Sequence, residues 1–397
     1  MSPERPTAES PALSVHALPI EADLELVASL GWDGGIPNAE VRVHKIGEPY
    51  EEEYWVAAET GPDGVAAFFD LFPGFYEVQV TRYLTSEEVS SVGSDAKVLA
   101  GGKWIRAPRD DLQVVRVAAS RRRGLVFSEI AIVYPLPWET GGPTYTHGIY
   151  LELYNNSDET IFLDGMILGF AWSRYRDNRI GWTCSISLPF RTDPEGVWAN
   201  RFLRFPGSGT EYPVAPGRTV LVARSAVDHT PIHSTLEDLS GADFEFPFSA
   251  DNPDVPNLTS IGLDALDINT PTIGVPIFLS LPVDIESLPR QAEQWLGYVY
   301  ARFPREAILD LVIPVHDYTK AVIQLAPPCS QPIDPHFEML PGPALWESSD
   351  GPAWTAQRRV LFTSDGRKIL QDTNTSMADF VRAWKTPGWV PDTIPEG

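Results

Sequence analysis

The chain has 397 residues, of which 43% are hydrophobic and 11% aromatic, and its formal net charge at pH 7 is −24. This length and apolar content suffice for two or three globular domains and exclude a disordered polymer. A negative field of this size repels nucleic acid and anionic lipid headgroups, so we expect no nucleic-acid partner. No apolar run reaches about 18 residues, so we expect no direct membrane span.

The turn-forming residues indicate the fold class. The chain contains 37 prolines and 30 glycines, and this density without a collagen-like period is typical of many short strands joined by turns. The best helical candidate is the short, proline-bounded segment Leu288–Phe303. The two cysteines, Cys184 and Cys329, are too few for a disulfide-rich scaffold or a cysteine zinc cluster, and whether they pair is left open. The sequence predicts an all-β protein.

Residues 1–18 are rich in proline and polar side chains, and we expect them to form an extended arm. They contain no apolar segment of the kind found in secretory signal peptides, so no signal peptide is visible. Two alternatives follow: the protein stays inside the cell, or the numbering begins after a removed leader.

Residues 19–120 predict a first β-domain. Ala39–His44 alternates between apolar and polar residues, as a half-buried strand does. Asp63-Gly64 and Pro73-Gly74 are turn dipeptides, and each precedes another apolar strand. The basic run Arg121–Arg123 then predicts a solvated linker.

Three segments of this domain carry a resemblance to a known family: Pro37-Asn-Ala-Glu-Val-Arg-Val, Asp63-Gly-Val-Ala-Ala-Phe and Phe72-Pro-Gly-Phe-Tyr-Glu-Val. They resemble the carboxypeptidase-regulatory-like, transthyretin-like β-sandwich of many bacterial surface proteins. The resemblance implies a spacer or interaction module that carries no catalytic group.

Residues 124–397 predict a second β-domain. It opens with two apolar strands, in Gly124–Tyr134 and Tyr150–Asn155, and continues through turns at Asp164-Gly165 and Ala215-Pro-Gly217. These segments resemble the lamin-tail domain, an immunoglobulin-like β-sandwich. With the closing motif Asp372-Thr-Asn-Thr-Ser, the chain resembles an uncharacterised bacterial envelope family that joins both sandwiches in this order. The resemblance implies two tandem Ig-like β-sandwich domains with extended, proline-rich termini, the C-terminal segment wrapping back on the second sandwich.

An insertion over residues 173–199 interrupts the lamin-tail pattern. Tryptophan, tyrosine and arginine are concentrated in and beside it, and these residue types are enriched at protein interfaces and pair through cation–π contacts. A loop folded back on the sandwich and a carbohydrate-binding surface remain alternatives. The candidate partner interface consists of Trp172, Arg174, Tyr175, Arg176, Arg179, Trp182 and Trp198.

The motifs of catalysis and cofactor binding do not occur in the expected form. His229 and His233 have the four-residue spacing of a helical metal pair, but Pro231 lies between them and favours a loop. No nucleophile elbow, phosphate-binding loop or dinucleotide fingerprint is present. The acidic loop over residues 250–257 offers oxygen ligands for calcium but lacks EF-hand spacing, so calcium binding is left open. We therefore predict no catalytic residue, no cofactor and no metal site.

These observations predict a non-enzymatic structural or interaction protein. We expect it to lie outside the cytoplasm, in the periplasm or at the cell surface, as a peripheral accessory subunit. Its partners would be proteins of a larger membrane or envelope assembly, which it would dock on and stabilise. A cell-surface adhesion or glycan-binding protein is the alternative, and a hydrolase ranks last because no nucleophile–base or metal spacing is visible.

Overall fold

The computed structural model divides into two compact units, one formed by residues 1–121 and 372–378 and the other by residues 122–371 and 379–397. Both are built from strands, and the all-β prediction is confirmed. Within the described residues, no helix is both long and apolar enough to cross a membrane. The structure describes residues 11–45, 48, 52–92, 96–122, 124–131, 147–171, 193, 195–232, 236–247, 252–262, 277–292, 298–312, 354–364 and 366–389.

The described residues of the first unit form seven strands in the hydrogen-bonded order β3-β2-β5-β6-β7-β1-β4. Two short helices, α1 (Leu24–Ser29) and α2 (Ser86–Val92), lie between strands. The strands are β1 (Leu13–Pro19), β2 (Glu40–Lys45), β3 (Trp55–Glu59), β4 (Val65–Phe68), β5 (Gly74–Tyr83), β6 (Val98–Ala107) and β7 (Gln113–Ala119).

Alternating apolar residues build the core of this unit. In β2, Val41 and Val43 are buried, and their partners in β5, Val80 and Val78, are buried opposite them. A period of two places every second side chain on the same face of a strand, so these residues form one apolar layer.

The prediction of an extended N-terminal arm over residues 1–18 is wrong for the residues that form strand β1. Leu13–Pro19 pairs with β4 in antiparallel and with β7 in parallel orientation, so it is an internal strand of the sheet. The physical reason is its alternation, because Leu13, Val15 and Ala17 are fully buried in the core. Residues 1–10 of the predicted arm lie outside the described residues.

The C-terminal segment over residues 372–378 belongs to the first unit, and the prediction that it closes the second sandwich is wrong for these residues. The amide of Asp372 donates to Ser120 Oγ at 2.9 Å, and the amide of Arg121 donates to the Asp372 carbonyl at 3.0 Å. Gly102 has no side chain, and the Met377 side chain occupies the space where a Cβ would lie. Main-chain hydrogen bonds and the space left by Gly102 therefore hold residues 372–378 in the first unit.

The second unit contains two large sheets and two two-stranded pairs, β10-β13 and β22-β23. One sheet has the order β15-β14-β9-β8-β21-β24, and the other has the order β18-β19-β12-β11-β17-β20 with β16 beside β12. A four-residue helix, α3 (Ser376–Asp379), begins in the C-terminal segment of the first unit and directly precedes β24. The strands are β8 (Leu125–Ala131), β9 (Tyr150–Asn155), β10 (Ile161–Phe162), β11 (Ile167–Ala171), β12 (Gly196–Arg204), β13 (Pro213–Val214), β14 (Thr219–Ala223), β15 (Phe244–Glu245), β16 (Thr259–Gly262), β17 (Ile277–Ser280), β18 (Arg290–Ala292), β19 (Val299–Pro304), β20 (Ile308–Val312), β21 (Trp354–Arg358), β22 (Val360–Ser364), β23 (Arg367–Leu370) and β24 (Phe380–Trp384).

The two large sheets share one apolar core and form a β-sandwich-like arrangement. Leu151 and Leu153 of β9 belong to the same buried cluster as Leu168 of β11 and Leu279 of β17. Sheets that are apolar on one face bury that face against each other, so this cluster is the middle of the sandwich.

Two further expectations fall in this unit. The helix considered over Leu288–Phe303 is wrong, because its described parts form β18 and β19, paired in antiparallel orientation. Tyr300, Ala301 and Phe303 are buried in the sheet, and strand pairing rather than helical propensity decides their conformation. Cys184 and Cys329 lie outside the described residues.

Candidate functional site

The most unusual chemical feature of the second unit is a pair of buried glutamates on adjacent strands. Glu129 of β8 lies directly opposite Glu152 of β9, and neither residue has measurable solvent exposure. Two like charges directly opposite each other destabilise a sheet, and burial increases the cost. The surrounding groups must therefore explain why this pair is present.

A β-bulge in β8 places Glu129 on the face of the sheet that points away from the apolar core. The register of β8 against β9 shifts between Phe127 and Glu129, so Phe127 and Ile130 point into the core while Glu129 points to the outer face. Without the extra residue, strict alternation would bury Glu129 in the apolar core.

Two side chains hold the bulge, one from β21 of the same sheet and one from β20 of the other large sheet. The Phe127 amide donates to Asp310 Oδ2 at 2.8 Å, and the Phe127 carbonyl accepts from Arg358 Nε at 2.7 Å. The unpaired main-chain groups of the bulge are thereby satisfied, as buried polar groups must be.

The glutamate pair lies within a row of residues that crosses the sheet. Leu221 of β14 is opposite Glu152, and Gln357 of β21 is opposite Glu129. Two small apolar clusters flank this row on the outer face. One consists of Ala131, Tyr150, Leu221, Ala223, Ala226, Leu239, Ala242 and Val255, and the other of Val126, Tyr154, Val360 and Leu370.

Residues Thr386–Trp389, here called the C-terminal strap, cover the pair. The Thr386 amide donates to Glu129 Oε1 at 3.1 Å, and the Thr386 hydroxyl donates to Glu129 Oε2 at 2.9 Å. The Gly388 amide donates to Glu152 Oε1. The Trp389 amide donates to the Thr386 carbonyl at 3.0 Å, which closes the strap into a turn.

The two carboxyl groups have very different surroundings. Glu129 also accepts hydrogen bonds from the Tyr150 hydroxyl and from Gln357 Nε2, the latter at 2.9 Å. Glu152 Oε2, by contrast, is buried and has no hydrogen-bond partner among the described residues. Both oxygens of Glu129 therefore accept hydrogen bonds, whereas Glu152 accepts main-chain hydrogen bonds from the strap and keeps one oxygen without a partner among the described residues.

This environment changes the pKa values of the cluster. Burial raises the pKa of Glu152 well above its usual value, and the neighbouring Glu129 raises it further. Burial also raises the pKa of Glu129, while hydrogen bonds from Tyr150 and Thr386 oppose the increase. Burial lowers the pKa of Lys385 to about 8, against the opposing effect of Glu237 and Glu129. The cluster therefore favours fewer charges than the same groups would carry in water.

The hydrogen bonds of Glu129 and Glu152 attach the C-terminal strap to the sheet. The donors to Glu129 come from β9, β21 and the strap, and both carboxyl groups are buried. Within the described ranges, no group of three or more histidine, cysteine, aspartate and glutamate side chains is placed to hold a metal ion. The sequence signal for this site is a charged residue inside an apolar strand, in Val126-Phe-Ser-Glu-Ile-Ala, which matches no catalytic or metal-binding motif.

The predicted partner interface is described at one residue only. Trp198 lies in β12 with 6% of its surface exposed, and its indole Nε1 donates to Asp193 Oδ2 at 2.9 Å. Arg302, its neighbour in β19, donates to the same carboxylate at 3.2 Å. Trp198 therefore packs within its own unit and offers little surface to a partner. Trp172, Arg174, Tyr175, Arg176, Arg179 and Trp182 lie outside the described residues, and their role stays a prediction.

The other polar candidates make hydrogen bonds within the chain. His229 is buried, with Nε2 2.9 Å from the Ser225 carbonyl, whereas His233 lies outside the described residues. In the acidic loop, the Asn252 amide donates to Glu245 Oε2 at 2.9 Å, and its side chain donates to the Ala226 carbonyl at 2.7 Å. These bonds are those of side chains that shape loops.

The first unit has an apolar surface that sequence patterns did not identify. Phe69 and Phe72, in the β4–β5 loop, expose 53% and 75% of their surfaces, and Leu112, in the β6–β7 loop, exposes 48%. The pairing of Leu13 with Phe68 and the hydrogen bond from the Arg109 amide to the Ala12 carbonyl, 2.8 Å long, bring both loops to the same end of the unit. Phe69, Phe72 and Leu112 are here called the apolar loop end.

Comparisons with known proteins place the chain in no established family. No family model matches it, and no curated protein matches it. Among solved structures, it is similar to a DUF4876 family protein from Bacteroides thetaiotaomicron, with 17% sequence identity, a TM-score of 0.49 and 97% of each chain covered. At this identity and TM-score, the likeness assigns neither a family nor a function to the chain.

Proposed function

We propose that the protein is a non-enzymatic structural or interaction protein, an extracytoplasmic accessory subunit that docks on a membrane or envelope protein assembly. The observation that carries this proposal is the apolar loop end of the first unit. In this proposal, the protein consists of a carboxypeptidase-regulatory-like sandwich followed by a lamin-tail-like, Ig-like sandwich, and both serve as interaction modules.

The apolar loop end has the composition of a protein-binding surface. Large apolar side chains that share one end of a domain and face solvent cost free energy unless a partner covers them. Aromatic residues are also enriched among those that dominate binding energy at interfaces. Lys45 Nζ lies 5.8 Å from the ring centroid of Phe72 and 3.9 Å from Glu48 Oε1, so charged side chains of both signs lie beside the apolar loop end.

The charge of the chain favours a protein over a lipid surface as the partner. A net charge of −24 repels anionic headgroups, whereas the exposed aromatic and aliphatic side chains of the apolar loop end suit an apolar protein surface. In the second unit, the strongly perturbed carboxyl groups bond to the chain's own main chain and side chains, which supports a structural role for them.

The proposal is tested by recovering the tagged protein from the membrane fraction of its native host and weighing the intact complexes by native mass spectrometry. We expect a stoichiometric protein partner with the wild type and its loss with the triple variant Phe69→Ser, Phe72→Ser, Leu112→Ser. Leu24→Ser is the matched control, because Leu24 is 52% exposed in the same unit but lies in α1.

Two outcomes would contradict the proposal. A protein that is recovered alone and binds glycans on an array is an adhesin, the alternative considered above. Equal recovery of the partner by the triple variant would show that the apolar loop end does not carry the docking.

A further inference from the structure

The C-terminal strap donates hydrogen bonds to both members of the buried glutamate pair. Glu129 accepts hydrogen bonds from Tyr150, Gln357 and both the amide and the hydroxyl of Thr386. A carboxylate with this many donors is well stabilised in its charged form. The second negative charge, on Glu152, would lie directly opposite and be almost unsolvated.

Glu152 has the surroundings of a neutral acid. The main-chain amides of Gly388 and Trp389 hydrogen-bond to this carboxyl group, but its Oε2 is buried without a hydrogen-bond partner among the described residues. A proton on Oε2 gives this oxygen an O–H group and removes the repulsion between the two carboxylates. Carboxyl pairs that share a buried site commonly hold one proton between them.

We propose that the C-terminal strap is a proton-controlled closure, which stays shut over the outer face of the sheet while Glu152 is a neutral acid and opens when Glu152 becomes charged.

The strap is the part of the cluster that can move. Glu129, Glu152 and Gln357 belong to strands paired on both sides within the six-stranded sheet. The strap is joined to the pair through Thr386 and Gly388, and Trp389 exposes 53% of its surface. Opening the strap would admit water to the carboxyl groups without breaking the strand pairing beneath them.

The neighbouring charges favour the same proton. Asp243 and Glu129 both raise the pKa of Glu152, although burial contributes most. Lys385 interacts with Glu129, and burial lowers its own pKa to about 8. Lys368 faces the strap, with Nζ 4.7 Å from the ring centroid of Trp389. The titratable and charged groups around Glu152 are Glu129, Tyr150, Glu237, Asp243 with its ion-pair partner Arg218, and Lys385.

The sign of the pH dependence follows from linkage. The pKa of Glu152 is higher in the closed state than in an open, hydrated state, so the closed state binds more protons. Closure is therefore strongest below the ordinary glutamate pKa of 4.5 and is lost as the pH rises through the raised value. Lys385 acts in the opposite direction, because its lowered pKa favours the closed state as the pH rises above about 8.

The experiment is hydrogen–deuterium exchange of the Thr386 and Gly388 amides between pH 5 and pH 9, corrected for the intrinsic exchange rate. In the wild type we expect protection to fall at least about tenfold across this range, the effect of one pKa unit between open and closed states. Glu152→Gln, a neutral isostere of the acid, should keep high protection at every pH. Glu159→Gln, at an exposed position just after β9, is the matched control and should behave as the wild type.

A second measurement uses the wild type alone and does not depend on the folding of a variant. Infrared spectra at pH 6 should contain the carbonyl band of a buried neutral carboxylic acid that shifts with isotope-labelled glutamate. Protection that is independent of pH in the wild type, unchanged pH dependence in Glu152→Gln, or the absence of the band would each overturn the proposal.

Discussion

Arg358 Nη2 donates to Asp310 Oδ2 at 2.6 Å, and the two side chains are only 2% and 5% exposed. The same guanidinium donates to the Phe127 carbonyl, and Asp310 accepts from the Phe127 amide. This ion pair therefore holds the bulge that turns Glu129 toward the outer face of the sheet. Its position joins β20, β21 and β8 in one buried network.

Asp310→Ala is expected to lower the free energy of unfolding of the second unit by about 3–5 kcal/mol, because it leaves Arg358 as a buried charge without its main partner. The second carboxylate near Arg358, Asp379 at 3.5 Å, compensates only in part. Urea unfolding followed by circular dichroism measures the change.

The control for this prediction is an exposed ion pair of the same unit, Arg290 and Glu286, 2.7 Å apart. Glu286→Ala should cost less than about 0.5 kcal/mol, because exposed pairs contribute little. Equal effects of the two substitutions would show that the buried network does not stabilise the unit.

Position 64 requires glycine for two reasons: its backbone is left-handed, and main-chain atoms leave no room for a Cβ. Its φ is +74°, and a Cβ there would lie 2.6 Å from Gly35 Cα and 2.7 Å from the Ile36 amide nitrogen. Gly64→Ala should therefore destabilise the first unit by the cost of a left-handed residue, about 1–2 kcal/mol, plus the cost of overlap with main chain.

Gly31→Ala separates the cost of the left-handed conformation from the cost of overlap with main-chain atoms. Gly31 also has a φ of +74°, but a Cβ there would meet nothing within 4 Å. We expect Gly64→Ala to exceed Gly31→Ala by at least about 1 kcal/mol in thermal or urea unfolding. Similar losses would mean that the loop at Gly35 moves to accept the methyl group.

Lys385→Met should flatten the dependence of stability on pH at alkaline values. The pKa of Lys385 is lowered from 10.5 to about 8 by burial, so the folded protein binds fewer protons than the unfolded chain between these values. Stability therefore rises with pH in this window, and a difference of about 2.5 pKa units corresponds to on the order of 3 kcal/mol.

The measurement is the difference in unfolding free energy between the wild type and Lys385→Met from pH 7.5 to pH 10.5. Subtracting the variant removes the contributions of tyrosines and other lysines. A difference that stays constant over this range would contradict the burial of a charged Lys385.

Asp164→Asn should destabilise the second unit at neutral pH but not in strong acid. Although burial favours the neutral acid, amides of Gly209, Glu211 and Tyr212 lower the pKa of Asp164 below its usual 3.8. The charged form contributes stability above that value, and the contribution is lost as the pH falls through the lowered pKa. The difference in unfolding free energy between the two proteins should shrink as the pH falls below 3.8 and through the lowered pKa, and a constant difference would refute this assignment.

Much of the fold could be predicted from local residues. Alternation in Ala39–His44 and the turns at Asp63-Gly64 and Ala215-Pro-Gly217 correspond to strands and turns of the structure. These features depend on side-chain period and backbone freedom, which neighbours in sequence decide. The arm was mispredicted over β1 because its alternation is short and its pairing partners lie far along the chain.

The sequence by itself determined the all-β class and the acidic character of the chain, since both follow from composition and short-range period. Only the tertiary structure decided which face Glu129 occupies. That choice depends on a bulge held by Asp310 and Arg358, which are 183 and 231 positions away from Phe127. A one-residue shift in strand phase exchanges core and surface, and contacts this distant leave no local pattern in the sequence.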